Sequence, residues 1–283
     1  MRVLDRGDLL AKELDAARAA GRTVGLVPTM GFLHAGHASL IRRAAAECDV
    51  VAVTVFVNPL QFAATDDLSG YPRNLPHDLA VAAEAGAALV YAPPVDDVYP
   101  GGPPATSVVV AGTLTEGLEA ASRPGHFTGV ATVVAKLFHL AGPCRAYFGE
   151  KDFQQLAVVR RMVADLSFPV EVVGCPTVRE ADGLACSSRN VRLSPPERRA
   201  AAVIHRALVT AATAVAAGEC DPAFVRRLMS SVVEAEPLAV LDYAEVVDTA
   251  TLVPVDTVAG DVRLVMAARV GAVRLIDNLG VSR

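Results

Sequence analysis

The sequence predicts an α/β fold: a doubly wound parallel sheet flanked by helices, followed by a smaller α+β domain. Three observations carry that prediction. Apolar runs alternate with stretches of helical period over roughly the first 175 residues, the pattern of successive βα units. The run Val50–Val57 is continuously apolar rather than alternating, which suits a parallel strand covered on both faces. Past residue 176 the pattern changes to two helices and then three strand-like runs. The boundary therefore separates a Rossmann-like domain, residues 1–176, from a smaller C-terminal α+β domain, residues 177–283.

In order along the chain, residues 8–20 have helical spacing and form a covering helix. Val24–Val27 is the first buried strand, residues 37–48 a helix and Val50–Val57 the next strand, together one βαβ unit. Pro76–Ala85 is helical with Gly86 as its C-cap, and Ala88–Tyr91 is a strand. Pro93-Pro94 and Pro100-Gly101-Gly102-Pro103-Pro104 mark an exposed loop region. Residues 129–141 form a helix stopped by Gly142-Pro143; Arg145–Phe148 is a strand, 152–166 a helix and Val170–Val173 a strand. Ser194-Pro195-Pro196-Glu197 is a capping box with proline at the first helical position, launching a helix to about Ala217 that Gly218 stops. Asp221-Pro222 starts another helix, and 241–247, 262–270 and 272–277 are strand-like.

With 283 residues, 52% of them hydrophobic, the chain can bury a sizeable core, as one large domain or two ordinary ones. The net charge of −5, with no basic block, disfavours a nucleic-acid partner. No run is long enough to span a membrane, and Met1–Asp5 lacks a charged-then-apolar leader. The expectation is a soluble, cytoplasmic protein with no membrane partner. The cysteines, Cys48, Cys144, Cys175, Cys186 and Cys220, are odd in number and lack zinc-site spacing; they read as reduced thiols, mostly buried. Lysine occurs only at Lys12, Lys136 and Lys151 in an arginine-biased chain, which singles each one out.

Candidate chemistry gathers where strands give way to helices. Pro28-Thr29-Met30-Gly31-Phe32-Leu33-His34-Ala35-Gly36-His37 joins the first strand to a helix, with two histidines around a glycine at the helix start. A helix N-terminus suits phosphate, and two imidazoles add donors for charge developing on a phosphoryl oxygen. Gly36 admits a ligand close to the backbone. A zinc reading is weaker, because no third ligand follows at a suitable spacing. Gly149-Glu150-Lys151-Asp152-Phe153-Gln154-Gln155 again joins strand to helix; Lys151 offers a point charge, Gln155 lies one turn into the helix, and Asp152 also reads as a plain N-cap. The loop Thr177–Asn190 carries Ser187, Ser188 and Arg189, suited to wrapping a triphosphate, and reads otherwise as an interdomain linker. Asn58 and Gln61 are neutral amides that can meet hydroxyl and carboxylate groups; Arg73, Arg123 and His126 are further polar candidates.

Pro28-Thr29-Met30-Gly31 with His34-x-Gly36-His37, Phe56-Val57-Asn58-Pro59-x-Gln61-Phe62, Gly149-Glu150-Lys151-Asp152-x-Gln154-Gln155 and Ser187-Ser188-Arg189-Asn190 together closely resemble the pantothenate synthetase family. Each motif alone is weak; four in this order are specific. The resemblance implies an ATP-dependent ligase joining pantoate to β-alanine through pantoyl adenylate, with release of pyrophosphate and AMP. It also implies Mg2+ with the nucleotide and a homodimer. By the same resemblance, Met30, Gly31, Phe32, Leu33, His34, Ala35, Gly36 and His37 line the ATP site, His37 as donor and His34 as phosphate partner. Gly149, Glu150, Lys151 and Asp152 bind ATP, with Lys151 countering charge in adenylation. Val178 meets adenine through its backbone; Cys186, Ser187, Ser188 and Arg189 close over the phosphates as a lid. Gln61 and Gln155 hold pantoate, and Gln61 also lies near β-alanine. The chain departs from the family at Phe32, Ala35, Phe153 and Cys186, where a smaller residue, an acidic residue, tyrosine, and methionine or leucine are frequent.

Three other readings compete. A nucleotidyltransferase acting on a phosphorylated substrate shares H-x-G-H, but Gln61 and Gln155 are neutral where a phosphate favours cations. A tRNA-binding protein conflicts with the net charge of −5. A non-catalytic nucleotide sensor needs fewer of His34, His37 and Lys151 than the chain retains.

Overall fold

Short runs of valine, leucine and alanine pair side by side in the first unit because both faces of each are to be covered. The computed structural model describes residues 1–62, 68 and 70–283. The elements of the first unit are β1 (Arg2–Leu4), α1 (Gly7–Ala19), β2 (Val24–Thr29), α2 (Ala35–Glu47), β3 (Val50–Val55), α3 (Leu75–Glu84), β4 (Leu89–Tyr91), α4 (Val95–Val98), α5 (Glu119–Ser122), α6 (His126–Ala141), β5 (Cys144–Gly149), α7 (Phe153–Asp165) and β6 (Val170–Cys175). The strands form one six-stranded sheet in the order β1-β4-β3-β2-β5-β6, and its pairings are parallel. From β2 the chain builds outward through β3 and β4, then returns to place β5 on the other side of β2. That reversal is a topological switch point, where the loops leaving the carboxyl ends of the strands open a crevice. Leu40, Ile41 and Ala44 of α2, Ala82 of α3, and Val27, Val53 and Tyr147 of the strands share one buried core.

The chain separates into two compact units, Met1–Glu150 with Gln154–Pro176, and Thr177–Arg283 with Lys151–Phe153. Three residues that the sequence assigns to the first domain thus group with the second. The Asn278 side-chain amide donates to the Lys151 carbonyl at 2.8 Å, and the Arg263 guanidinium lies 4.1 Å from the centre of the Phe153 ring. The second unit contains α8 (Pro195–Ala200), α9 (Val203–Ala216) and α10 (Pro222–Glu234), then β7 (Ala239–Asp248), β8 (Asp261–Val270) and β9 (Val273–Ser282) in an antiparallel sheet. Its core includes Ile204, Leu208, Met229, Leu264 and Met266.

Several expectations need correction or completion. Val24–Val27 lies in the first buried strand, but a mostly exposed strand not anticipated from sequence, Arg2–Leu4, precedes it, three residues paired with β4 at the sheet edge, too short to leave a periodic signal. The helix expected over 129–141 starts at His126, behind Gly125 in a left-handed conformation. The single helix expected from Pro195 to about Ala217 is two, divided at Ala201-Ala202, where the turn tightens to an Ile204 N–H to Ala201 carbonyl bond. The expectation that no stretch is long enough to span a membrane also needs qualifying. Pro195–Ala216 reaches that length and hydropathy over 22 residues. Its Val203, Ile204, Ala207, Leu208, Ala211 and Val215 are buried in the second unit's own core.

Candidate active site

β2 ends at Thr29, beside the ends of β3 and β5, so the segment Met30–His37 leaves from the switch point of the sheet. Its path is fixed from below. Thr29 Oγ1 donates to the Thr54 carbonyl at 2.5 Å and accepts from Gly31 N–H at 3.1 Å. Asp78 of α3, 2% exposed, takes Phe32 N–H at 3.0 Å and Leu33 N–H at 2.6 Å, one on each carboxylate oxygen. The His77 ring lies 3.0 Å from the Leu33 carbonyl through Nε2. Gly31 and Phe32 both take positive φ, 84° and 52°. A side chain on Gly31 would meet Val55 and the Asp78 carboxylate at about 3 Å, so the tight turn over Asp78 requires glycine.

This turn delivers His34 as the N-cap of α2. Its Nδ1 accepts from Gly36 N–H at 3.1 Å, and His37 Nδ1 accepts in return from His34 N–H at 3.4 Å, a reciprocal cap made by two imidazoles. The rings lie 4.1 Å apart, centre to centre. A backbone N–H only donates, so both Nδ1 atoms are the unprotonated nitrogens. In each neutral ring the proton then sits on Nε2. The helix start thus presents two imidazole donors at its positive end. The Gly36 amide is held by His34 Nδ1.

Asn58 and Gln61 follow β3. Asn58, 1% exposed, caps the 3-10 turn Pro59–Gln61: its Oδ1 takes Leu60 N–H at 3.3 Å and the Tyr99 hydroxyl at 2.8 Å. Its Nδ2 donates to the Gly129 carbonyl and to Gln61 Oε1, both at 3.0 Å. The Gln61 carbonyl takes Arg123 Nη2 at 3.2 Å and lies 3.0 Å from His126 Nδ1. Arg123 and His126, read from sequence as isolated polar candidates, therefore brace the turn that carries Gln61. α6 can lie this close only because residue 129 is glycine; a Cβ there would stand 2.2 Å from the Leu60 carbonyl oxygen.

Gly149 closes β5 and Glu150 follows it in the first unit. Gln155 is half-buried in the first turn of α7. Its neighbour Gln154 is structural: it takes Glu119 N–H at 2.9 Å and donates to the carbonyls of Leu114 and Gly117 at 2.9 and 3.0 Å.

In the second unit, Val178 and Cys186 face each other in a hairpin, the Cys186 N–H reaching the Val178 carbonyl at 2.9 Å. Arg179 anchors this hairpin to β9 through both oxygens of Asp277, at 2.5 and 3.0 Å. Ser187 caps the 3-10 helix Ser188–Arg192. Lys151, Ser187, Arg189, Asn190 and Asp277 line one small cavity, whereas Cys186 and Ser188 do not reach it. Lys151 is mostly buried, with Nζ 3.4 Å from Asp152 Oδ1. Among the described residues no group of three or more His, Cys, Asp or Glu is arranged to hold a metal ion.

Thr54, Asp78 and Tyr99 escape sequence reasoning, and Thr29 enters it only as a member of a motif, without its bracing role. Asp78 reads locally as an acidic residue in a helix's first turn, and nothing near it shows that it grips a segment 45 residues away.

The family model for pantoate-β-alanine ligase matches residues 2–280. The chain belongs to the pantoate-β-alanine ligase family. Two relatives in this family, pantothenate synthetases of Heliobacterium modesticaldum and Moorella thermoacetica, are 54% and 53% identical. Those matches cover 92% and 93% of this chain and the same shares of theirs. A crystal structure of the Thermus thermophilus pantothenate synthetase aligns over 99% of both chains at TM-score 0.93 and 50% identity. The Francisella tularensis pantoate-β-alanine ligase, solved with β,γ-ATP and β-alanine, aligns at TM-score 0.81 and 32% identity over 99% of this chain and 97% of its own.

Proposed function

We propose that this ligase condenses (R)-pantoate with β-alanine in two half-reactions on ATP. In the first, a pantoate carboxylate oxygen attacks the α-phosphorus, the bond to the bridging oxygen breaks, and pyrophosphate leaves. In the second, the amine of β-alanine attacks the acyl carbon of pantoyl adenylate. The C–O bond to AMP breaks, the amine gives up a proton to solvent, and pantothenate forms. Adenylation is needed because a carboxylate is a poor acyl donor.

The observation that carries this reading is the reciprocal imidazole cap, His34 with His37, at the start of α2. Two Nε2–H donors there can meet negative charge as it builds on the phosphoryl oxygens, fixed in place before reaction. His37 is assigned as the main donor and His34 as a phosphate partner. Lys151 adds a positive charge to the same transition state, and Mg2+ enters with the nucleotide, bound largely by phosphate oxygens and water. Residues Met30–His37 and Gly149–Asp152 hold ATP, with Val178 meeting adenine through its backbone. Cys186–Arg189, on the second unit, close over the phosphates as a lid. Gln61 and Gln155 hold pantoate, and Gln61 also approaches β-alanine.

The test is a mass-spectrometric assay with ATP, Mg2+ and pantoate, with and without β-alanine. Pyrophosphate and pantoyl adenylate are expected without the amine, and pantothenate with AMP when it is added. Pantothenate formed with ADP and phosphate in place of AMP and pyrophosphate would overturn the adenylate route.

A further inference from the structure

Gln61 sits at the end of a chain of hydrogen bonds whose direction is dictated by backbone groups. Leu60 N–H can only donate, so the Asn58 atom it meets at 3.3 Å is the oxygen. The Gly129 carbonyl can only accept, so the Asn58 atom 3.0 Å from it is the nitrogen. Two unambiguous partners thus fix the Asn58 amide, an assignment otherwise open to a flip. The rest of the chain follows. The Tyr99 hydroxyl, 2.8 Å from Asn58 Oδ1, must donate. The second hydrogen of Asn58 Nδ2 must find an acceptor, so the Gln61 atom 3.0 Å away is Oε1. The Gln61 NH2 group then points away from Asn58.

Tyr99 is 2% exposed, its ring 6.0 Å from that of Phe56 and 5.9 Å from Lys136 Nζ. Burial raises its pKa well above the ordinary tyrosine value, which keeps the hydroxyl protonated. No element of the chemistry above uses Tyr99.

We infer that Tyr99 is a positioning residue for the acid substrate, acting through Asn58 to hold the Gln61 amide with its NH2 outward as a donor. The inference rests on the assignment of Gln61 to pantoate. It adds that the pantoate atom meeting this NH2 is an acceptor oxygen. A carboxylate fits such a donor, and an ammonium group in that position does not.

The test uses Tyr99→Phe, Gln61→Ala and the double variant in the full chain, with pantoate, ATP and β-alanine each varied. Tyr99→Phe leaves Leu60 N–H on Asn58 Oδ1, so the turn keeps its cap and the protein folds. Losing one neutral hydrogen bond from the relay is expected to raise the pantoate KM about three- to tenfold. The ATP KM stays unchanged, a split that general loosening of the fold would not produce. In the Gln61→Ala background, Tyr99→Phe is expected to add nothing further. Multiplying effects, or an equal rise in the ATP KM, overturn the inference. Side-chain NH2 resonances of the ligand-free protein give a readout that does not depend on the substrate. With signals assigned by their loss in Asn58→Ala and Gln61→Ala, Tyr99→Phe is expected to shift both. Unchanged signals overturn the relay, whereas a wild-type chain that makes no pantothenate overturns only the functional reading.

Discussion

His37 has two separable tasks because its two ring nitrogens face different partners. Nδ1 accepts the His34 N–H and helps start α2, while Nε2 carries the proton that the proposed mechanism directs at phosphate. Asparagine can imitate the first task but not the second, since its short amide keeps an acceptor near the backbone. His37→Asn is therefore expected to melt close to the wild type yet lose adenylation by roughly two to three powers of ten, the scale of one transition-state donor. His37→Ala should lose both the donor and part of the cap, about 1 kcal/mol of stability. ATP binding by calorimetry should change little in either variant. If His37→Asn binds ATP as weakly as it turns over, His37 serves the ground state instead. Lys151→Ala should resemble His37→Asn, with a comparable loss in adenylation and a small one in ATP affinity.

At the scale of elements, two packing contacts decide where the site residues stand. Gly129 of α6 meets the Leu60 carbonyl with no room for a methyl group. Gly129→Ala must push the helix and the Asn58–Gln61 turn apart, at a cost of about 1–3 kcal/mol or more. The expected result is a lower melting temperature together with a raised pantoate KM, and an unchanged melting temperature would show that the contact relaxes freely. Asp78 grips the Phe32 and Leu33 amides from α3. Asp78→Asn turns an NH2 toward one of those N–H groups, leaving a buried donor unpaired at about 1–3 kcal/mol. Faster amide exchange at Phe32 and Leu33 is the direct measure. These contacts also explain what the sequence made legible. Long apolar runs such as Val50–Val55, the proline-led helix starts and the His34–His37 motif declare themselves locally, because each depends on neighbours in the chain. Asp78, Tyr99 and the three-residue strand Arg2–Leu4 act through hydrogen-bonded or paired partners 41 to 87 residues away, so no local pattern encodes them. The division at Ala201-Ala202 is hidden for the opposite reason: alanine favours helix at both positions, and the tightened turn there has no sequence marker.

At the scale of the whole molecule, the second of the two units carries an unusual titrating group. His205 of α9 packs its ring where Gly183 leaves no room for a Cβ, which would stand 2.1 Å from the imidazole. Its Nδ1 is buried and, among the described residues, has no hydrogen-bond partner. Burial, helped by the Arg179 guanidinium, pushes its pKa below the ordinary histidine value; Asp277 and Asp182 pull the other way and lose. The folded unit therefore holds His205 neutral under conditions where the unfolded chain takes up a proton. The stability this contributes is fully present above the unfolded value of about 6.5 and is lost as pH falls from there toward the folded value. His205→Leu removes both the titration and the unpartnered nitrogen, so it should match or exceed the wild type near pH 6 while differing less near pH 7.5. Amide exchange in α9 and in the hairpin 178–186, compared between the two proteins at each pH, cancels the intrinsic pH dependence of exchange. Protection that falls in the wild type between pH 7 and 5.5 but not in His205→Leu is the expected outcome. Parallel curves would mean that the acid response of this unit lies in its carboxylates, such as Asp182 held low by Arg198.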